Sequence, residues 1–455
     1  MKNSLCGSGP IADDLASAEN RRHNEFNRLS CLQPAQAAAR RQAITIDLHI
    51  RGQTVLEGHP THPPDRPLRV LCALGSLQGG GSERQMLGLL RAFDRTRIEP
   101  HLYLIARQGE LLGELPPELP VTAYWDRHRP PRWNWPGRIF RSQVRDLAEQ
   151  LRAEQIDVVY DRTYHMTMIT AEACRKAGVP RVSVVVAEPK NDLITNERRF
   201  RWLKYRLLRR AYQTAGAVVA VSDSVRAAIC QYYAVSPDRV QVIANGIDLR
   251  RLDDPSTDRP GMFSPTGQQS LLVVGRLHPD KGIDLLLRAV AQLQREPNPP
   301  LLQVHLLGTG PAEPELRQLA GQLGLQSTVN WQGFQSDIAG WMRSADLFCL
   351  PSRFEGLPNA LIEAMALGLP VVATRCSSAT AELLRSGEWG EMVPTEDVIA
   401  LARAIRWVCE HPAEARTRAA AARDTIRQEY TMATCVERTT RLLESVAGSR
   451  MRAKR

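Results

Sequence analysis

PSRFEGLPNALIEAMALGLPVVAT, residues 351–374, spells out a loop, a helix and a strand, and the apolar run Leu347-Phe348-Cys349-Leu350 supplies the strand that enters it. Glu355 and Gly356 lie in the loop. Pro358 is expected in the first helical turn, where its fixed φ suits the helix and its missing N–H costs nothing. Asn359 to Ala366 reads as a helix stopped by Gly368 and Pro370, and Val371-Val372-Ala373 as the next strand. A helix start presents unpaired N–H groups and the positive end of the dipole, which suits a phosphate. Glu363 follows Asn359 by four residues, so it shares that helix face about 5–6 Å further along the axis. It is placed to hold ribose hydroxyls, and Glu355 to hold hydroxyls beyond the diphosphate. One carboxylate per sugar with a diphosphate between them suits a nucleotide-sugar. Two glutamates eight apart also occur by chance on solvated faces, so the rest of the chain has to carry the argument.

A chain of 455 residues exceeds one ordinary core, so two domains are expected. The net charge of +10 favours acidic partners such as nucleotide phosphates, anionic lipid or nucleic acid. The nine cysteines are scattered without a C-x-x-C pair, which points to reduced thiols in a cytosolic protein, not to a disulfide frame or zinc site. No apolar run is long enough to span a membrane, and the N-terminus lacks the apolar core of a signal peptide. Charge alone is a weak pointer to nucleic acid, and no helix-turn-helix or zinc-finger pattern accompanies it, so no nucleic-acid partner is expected.

Residues 1–66 have no sustained periodicity and read as a disordered extension with a short helix from Ala35 to Gln42. Residues 67–252 then alternate strands with helices. Strand Leu68 to Leu74 leads into Gly79-Gly80-Gly81-Ser82-Glu83-Arg84 and a helix to Phe93. Further strands are expected at His101–Ala106, Ile156–Tyr160, Arg181–Val186, Ala217–Val221 and Val240–Ala244, with helices at Gln143–Glu154 and Thr167–Ala177. Ser222 has the residue type and position of an N-cap. Tyr124 to Phe140, with three tryptophans among four arginines, reads as a loop suited to a membrane interface. Asn196 to Tyr212 reads as a basic helix with Phe200, Leu203, Leu207 and Leu208 near helical spacing, able to lie on an anionic bilayer.

Residues 253–269 read as a linker, and the alternation restarts over 270–430. Strand Leu271–Val274 precedes Gly275-Arg276 and Lys281-Gly282, then helix Ile283–Gln294. Strand Gln303–Leu307 precedes Gly308-Thr309-Gly310, and a short strand at Val329–Trp331 precedes Gly333-Phe334. Residues 431–448 form a closing helix and 449–455 a basic, frayed tail. Two doubly wound α/β domains follow, with the ligand at the carboxyl ends of the strands and hence in the cleft between domains.

Arg276 and Lys281 offer two cations to a diphosphate, and both oppose the negative charge that grows on a departing one. Gly308-Thr309-Gly310 resembles the start of a dinucleotide fingerprint, but Glu313 stands at the third glycine position, so NAD and FAD are discounted. No Asp-x-Asp occurs, which argues against a metal held by carboxylates on the diphosphate; no metal and no cofactor are expected, the nucleotide-sugar being a substrate.

Taken together, Gly275-Arg276 with Lys281-Gly282, Gly308-x-Gly310-Pro311, and Phe354-Glu355-Gly356-Leu357-Pro358-Asn359-Ala360-Leu361-Ile362-Glu363-Ala364-Met365 resemble glycosyltransferase family 4, a large retaining family of GT-B fold. Gly79 to Arg84 is similar to that family's N-terminal glycine loop, and Val242 to Asp248 also fits. The resemblance spans roughly Leu68 to Ala447. It implies that Arg276 and Lys281 take the diphosphate, Glu363 the ribose, and Glu355 with the amides near Gly356 and Leu357 the donor sugar. Gly333 and Phe334 border the base, Asn359 heads the phosphate-binding helix, and Gly80 and Gly81 face the diphosphate across the cleft beside Gly275. The implied acceptor is lipid-linked or a glycan precursor. Many members carry a histidine after the strand matching Arg181–Val186; here Val186-Ala187-Glu188 stands there. Glu188 is the candidate replacement, and His165 the other, although a buried structural role is expected for His165. A phosphorylase or sucrose-type synthase of the same fold, and a binding protein without catalysis, are the other readings.

Overall fold

Buried apolar runs make the strands. In β1 (Leu68–Leu74) every side chain from Val70 to Leu74 is buried, as a parallel strand covered on both faces requires. The remaining strands of the first sheet are β2 (Ile98–Leu104), β3 (Val121–Ala123), β4 (Val158–Arg162), β5 (Arg181–Val185), β6 (Ala217–Ala220) and β7 (Val240–Val242). They pair in the order β3-β2-β1-β4-β5-β6-β7, with every ladder parallel. The second sheet contains β8 (Gln269–Val274), β9 (Leu302–Leu307), β10 (Val329–Gly333), β11 (Leu347–Leu350), β12 (Val371–Thr374) and β13 (Glu391–Val393). Its order is β10-β9-β8-β11-β12-β13, again all parallel. This computed structural model describes residues 66–453 apart from 79, 132, 134, 191–192, 194–199 and 258–266. The expected extension with its Ala35–Gln42 helix, Gly79, and the start of the basic helix at Asn196 lie outside the described residues.

Helices connect successive strands. In the first lobe they are α1 (Gly81–Ala92), α2 (Arg138–Ala153), α3 (Tyr164–Ala177), α4 (Arg201–Thr214) and α5 (Asp223–Tyr233). In the second they are α6 (Ile283–Leu293), α7 (Glu313–Gln322), α8 (Ala339–Ser344), α9 (Asn359–Ala366), α10 (Ser378–Leu383), α11 (Val398–Glu410) and α12 (Pro412–Glu429). Ser222 does cap α5, its hydroxyl accepting from the Val225 amide at 3.3 Å. Helix α9 has the expected bounds, but Pro358 sits at its N-cap with ψ 95°, one residue before the first turn. Part of the expected Tyr124–Phe140 loop is helical: Tyr124–Arg127 forms one turn, and α2 starts at Arg138 because Gly137 adopts a left-handed conformation there. The β3, α10 and β13 elements, each six residues or fewer, lacked a pattern long enough to read in the sequence.

A last helix, α13 (Met432–Ala453), packs on α1 and against β4 and β5 of the first sheet, although it follows the second lobe in the chain. It runs five residues past the expected end at 448, so the supposed frayed tail is helical as far as Ala453. Arg97 clamps it with a fork to Glu444 at 2.8 and 2.9 Å and a bond to Glu437 at 2.7 Å. A parallel bridge between Ile247 and Thr431 secures its entry.

Candidate active site

Each sheet reverses its strand order at one point, between β1 and β4 in the first and between β8 and β11 in the second. Ligands of such sheets lie outside the carboxyl ends of the strands at that reversal. The loops there are Gly75–Gly80 and Thr163 in one lobe, and Gly275–Gly282 and Pro351–Pro358 in the other. All the second-lobe candidates except Gly333 and Phe334 belong to these loops or to α9.

Lys281 and Glu355 meet. The Lys281 ammonium donates to Glu355 Oε1 at 2.7 Å, and the Ser352 hydroxyl donates to the same oxygen at 2.9 Å. Gly282 makes the approach possible: at φ 62° it turns the chain so tightly that a Cβ there would overlap the Pro351 carbonyl. Arg353 braces the same junction. Its guanidinium forks onto Asp284 at 2.6 and 2.7 Å, reaches the Pro279 carbonyl at 2.8 Å and pairs with Glu396, while its amide donates to the Asp280 carbonyl at 2.7 Å. Burial works against the Lys281 ammonium, but the charge of Glu355 and the hydrogen bond outweigh it and raise the Lys281 pKa above the ordinary value. Lys281 is therefore a cation at neutral pH. Arg276 is exposed just past β8; its carbonyl accepts from the His278 amide at 2.8 Å, and its guanidinium makes no hydrogen bond or ion pair among the described residues.

Across the cleft, Gly80 is the extended N-cap of α1 and Gly81 its first residue. The Glu83 carboxylate folds over Gly80, and burial raises its pKa, opposed by its own amide and by the charges of Arg162 and Arg276. Asn359, at the first turn of α9, joins the lobes. The Asn245 amide donates to Asn359 Oδ1 at 2.8 Å, and the buried Arg162 donates to Asn245 Oδ1 at 2.9 Å. Gly275 lies beside the Lys281 stem, and Leu357 is buried at the foot of the loop.

Gly356 touches the other lobe directly. A Cβ at this position would overlap the Val186 carbonyl oxygen and stand 3.0 Å from the Ala187 Cα. The turn that departs from the family pattern is therefore packed on the Glu355 loop. Glu188 follows in that turn, half-buried. His165 is exposed in the first turn of α3, which corrects the expectation of a buried structural histidine: it falls on the outer side of a helix that begins three residues earlier than its periodicity suggested. Thr163, just before it, holds φ 74° and ψ 142°, a sparsely populated conformation for a β-branched residue.

Glu363 lies on α9, half-buried, and burial pushes its carboxyl up to about 7 against the opposing charges of Arg84 and Arg251. Gly333 ends β10 with φ 66°, and Phe334 follows it. Arg84, Arg162, Asn245, Arg251 and Arg353 were not assigned to the site from sequence. Arg162 and Asn245 carried one available signal, their position at or just beyond strand ends.

A glycosyltransferase family 4 model matches residues 79–251, and a glycosyl transferases group 1 model matches residues 268–411. A D-inositol 3-phosphate glycosyltransferase of Nocardioides sp. is 32% identical over 350 residues, 71% of this chain and 71% of that protein. The chain belongs to glycosyltransferase family 4. This glycosyltransferase is also 34% identical over 174 residues to a putative colanic acid biosynthesis glycosyltransferase, WcaL, of Salmonella typhimurium, covering 36% of this chain and 41% of that one. Its two-sheet architecture is the GT-B fold. The structure of Anabaena HepE in complex with UDP and glucose matches with a TM-score of 0.70 at 24% identity, over 83% of this chain and all of that one. Sucrose-phosphate synthase from Thermosynechococcus elongatus matches with a TM-score of 0.70 at 17% identity, over 84% and 100%.

Proposed function

We propose that this glycosyltransferase moves a hexosyl group, with retention of configuration, from a UDP-sugar to a hydroxyl of a lipid-linked or polysaccharide precursor. The observation that carries the reading is the Lys281–Glu355 contact beside the unpaired Arg276, at the start of α9 and opposite Gly80 and Gly81. In this reading the diphosphate lies between Arg276, Lys281 and the first turn of α9. Glu363 accepts from the ribose hydroxyls. Glu355 keeps one oxygen on Lys281 and turns the other to sugar hydroxyls, with the amides of Gly356 and Leu357 on the same ring. The C1–O bond to the diphosphate breaks and a C1–O bond to the acceptor forms on the same face. The acceptor's proton passes to the departing phosphate oxygen, and the two cations take up the charge left on it. Glu188 is the acceptor-side residue of this proposal.

UDP as the nucleotide carrier draws support from the HepE complex with UDP and glucose, and a glycan acceptor from the relative named for colanic acid biosynthesis. The membrane part rests on exposed side chains. Trp133 and Trp135 project from the loop before α2, Phe200 from the N-cap of α4, and Trp202, Leu203 and Leu207 from α4 itself among exposed Arg201, Arg206, Arg209 and Arg210. No helix among the described residues is long and apolar enough to cross a membrane, so the proposal is peripheral attachment to the inner face.

Calorimetry against a panel of UDP-, GDP- and ADP-sugars tests the donor. A UDP-sugar that binds and releases UDP on turnover supports the reading, and indifference to all of them refutes it. Co-sedimentation with anionic vesicles tests the membrane part, which falls if binding is absent at low salt.

A further inference from the structure

We propose that Arg84 and Arg251 are positioning residues for the nucleoside end of the donor, holding the Gly333–Ser336 turn of the second lobe from across the cleft. The inference rests on the nucleotide-sugar reading above and adds to it a part of the donor site contributed by the first lobe.

The geometry is specific. Arg84 stands on α1, and Arg251 on the short helix Leu249–Leu252; both elements belong to the first lobe. Arg84 Nη1 donates to the Ser336 carbonyl at 3.3 Å and Nη2 to the Gln335 carbonyl at 3.2 Å. Its guanidinium also lies 5.5 Å from the centre of the Phe334 ring. Arg251 Nη2 donates to the same Ser336 carbonyl at 3.4 Å. Two guanidinium groups from separate elements thus converge on one carbonyl oxygen of the opposite lobe.

Like charges brought together repel, so such a convergence needs compensation. Glu114 provides part, accepting from Arg251 at 3.3 Å and from Arg91 at 3.2 Å. Glu363 and Glu110 add to it, their charges acting on Arg84 against the burial and the Arg251 charge that lower its pKa. The turn itself is already shaped by its own lobe. Gln335 donates to the Gln332 carbonyl at 2.8 Å, and Asp337 accepts from the Ala339 amide at 3.1 Å. The arginines are therefore not needed to fold the turn; they set where it stands relative to Glu363. Those are the two parts of the second lobe assigned to base and ribose, and the diphosphate cations Arg276 and Lys281 belong to a different loop.

The test is calorimetric titration of the full chain with UDP, with GDP and ADP in parallel, and of inorganic pyrophosphate by competition. Arg84→Met keeps most of the side chain's bulk but removes its charge and its donors. UDP binding should weaken about 10-fold, the scale of one or two lost hydrogen bonds from a charged group, while pyrophosphate competes as before. Arg251→Met should act in the same direction, and the double variant should fall short of the product because both act on one carbonyl. Arg84→Lys should recover only part of the affinity, since an ammonium cannot span two carbonyls and a ring. Equal weakening of UDP and pyrophosphate would show a general latch and overturn the nucleoside assignment, as would unchanged UDP affinity in a variant that melts normally. A wild-type protein that binds none of the three nucleotides would remove the donor reading itself, an outcome visible before any variant is made.

Discussion

Gly356→Ala is a purely steric probe of the cleft. Gly356 is outside the left-handed region, so alanine meets no backbone strain there. The added methyl would overlap the Val186 carbonyl oxygen and lie 2.8 Å from its carbon and 3.0 Å from Ala187 Cα. Carbon atoms prefer about 3.5–4 Å, so one side has to withdraw by about 1 Å. The Glu355 loop is pinned from behind by Lys281, Ser352 and Arg353, and Val185 just before the other turn is buried at the end of β5. The lobes should therefore part at this contact. A misplacement of about 1 Å between reacting groups costs on the order of 100-fold in rate. Turnover of donor and acceptor should fall by about that factor, while UDP affinity falls by no more than the roughly 10-fold ascribed to the hold of Arg84 and Arg251, because Lys281, Arg276 and Glu363 all belong to the same lobe as residue 356. Initial rates with calorimetry on the same preparation separate the two. A wild-type rate, or a loss of UDP affinity as large as the loss of rate, would refute the claim that this contact sets the closed geometry.

Lys281→Met removes one of the two cations proposed for the diphosphate and leaves the half-buried Glu355 with Ser352 as its remaining side-chain donor. Turnover should drop by 100-fold or more, about 2.7–4 kcal/mol of transition-state stabilisation, with melting lowered as well, and a wild-type rate would cancel the assignment. Glu355→Gln should lose rate with a smaller change in melting, because the amide can still accept from Lys281 and Ser352. Glu363, pushed up to about 7 by burial, binds its proton in the free protein at mildly acid pH. Ribose hydroxyls need the ionised form, so affinity for a nucleotide-sugar should rise up to tenfold per pH unit from pH 5 toward 7 and level off above. The unfolded carboxyl ionises near 4.5, so charging this group in the fold costs stability that accumulates between 4.5 and 7; Glu363→Gln should flatten the binding profile and gain in melting temperature over that window. A profile unchanged in the variant would move the titration to another group. Gly246→Ala would set a methyl 2.6 Å from Met432 Cα and 2.8 Å from the Thr431 carbonyl oxygen, so it should destabilise the docking of α13 by about 1–3 kcal/mol, read by urea titration; a neutral result would show that the helix start yields freely.

What the sequence showed and what it hid divide along one physical line. Helix α9 was legible to the residue because its bounds are set locally, by Pro358 before it and Gly368 after it. The two doubly wound sheets were legible because buried parallel strands must be apolar runs, and the reversal points then locate the ligand loops without further information. The short elements and the helical turn at Tyr124 were missed because three residues of strand, or four to six of helix, contain less than two periods of their own pattern. Contacts between lobes were hidden for a different reason: they join residues whose local sequences say nothing of each other. Asn245 and Asn359 are 114 positions apart, and Arg84 and Ser336 are 252. Arg84 was read as part of a glycine motif, and Arg251 drew no reading at all. Only the folded chain shows that both end on one carbonyl oxygen. The loops to which the phosphate end is assigned in this proposal could be located because they are built from consecutive residues at helix and strand ends. The placement of the nucleoside end was not, because it depends on two lobes meeting. That difference is what the pyrophosphate and UDP titrations of Arg84→Met would measure.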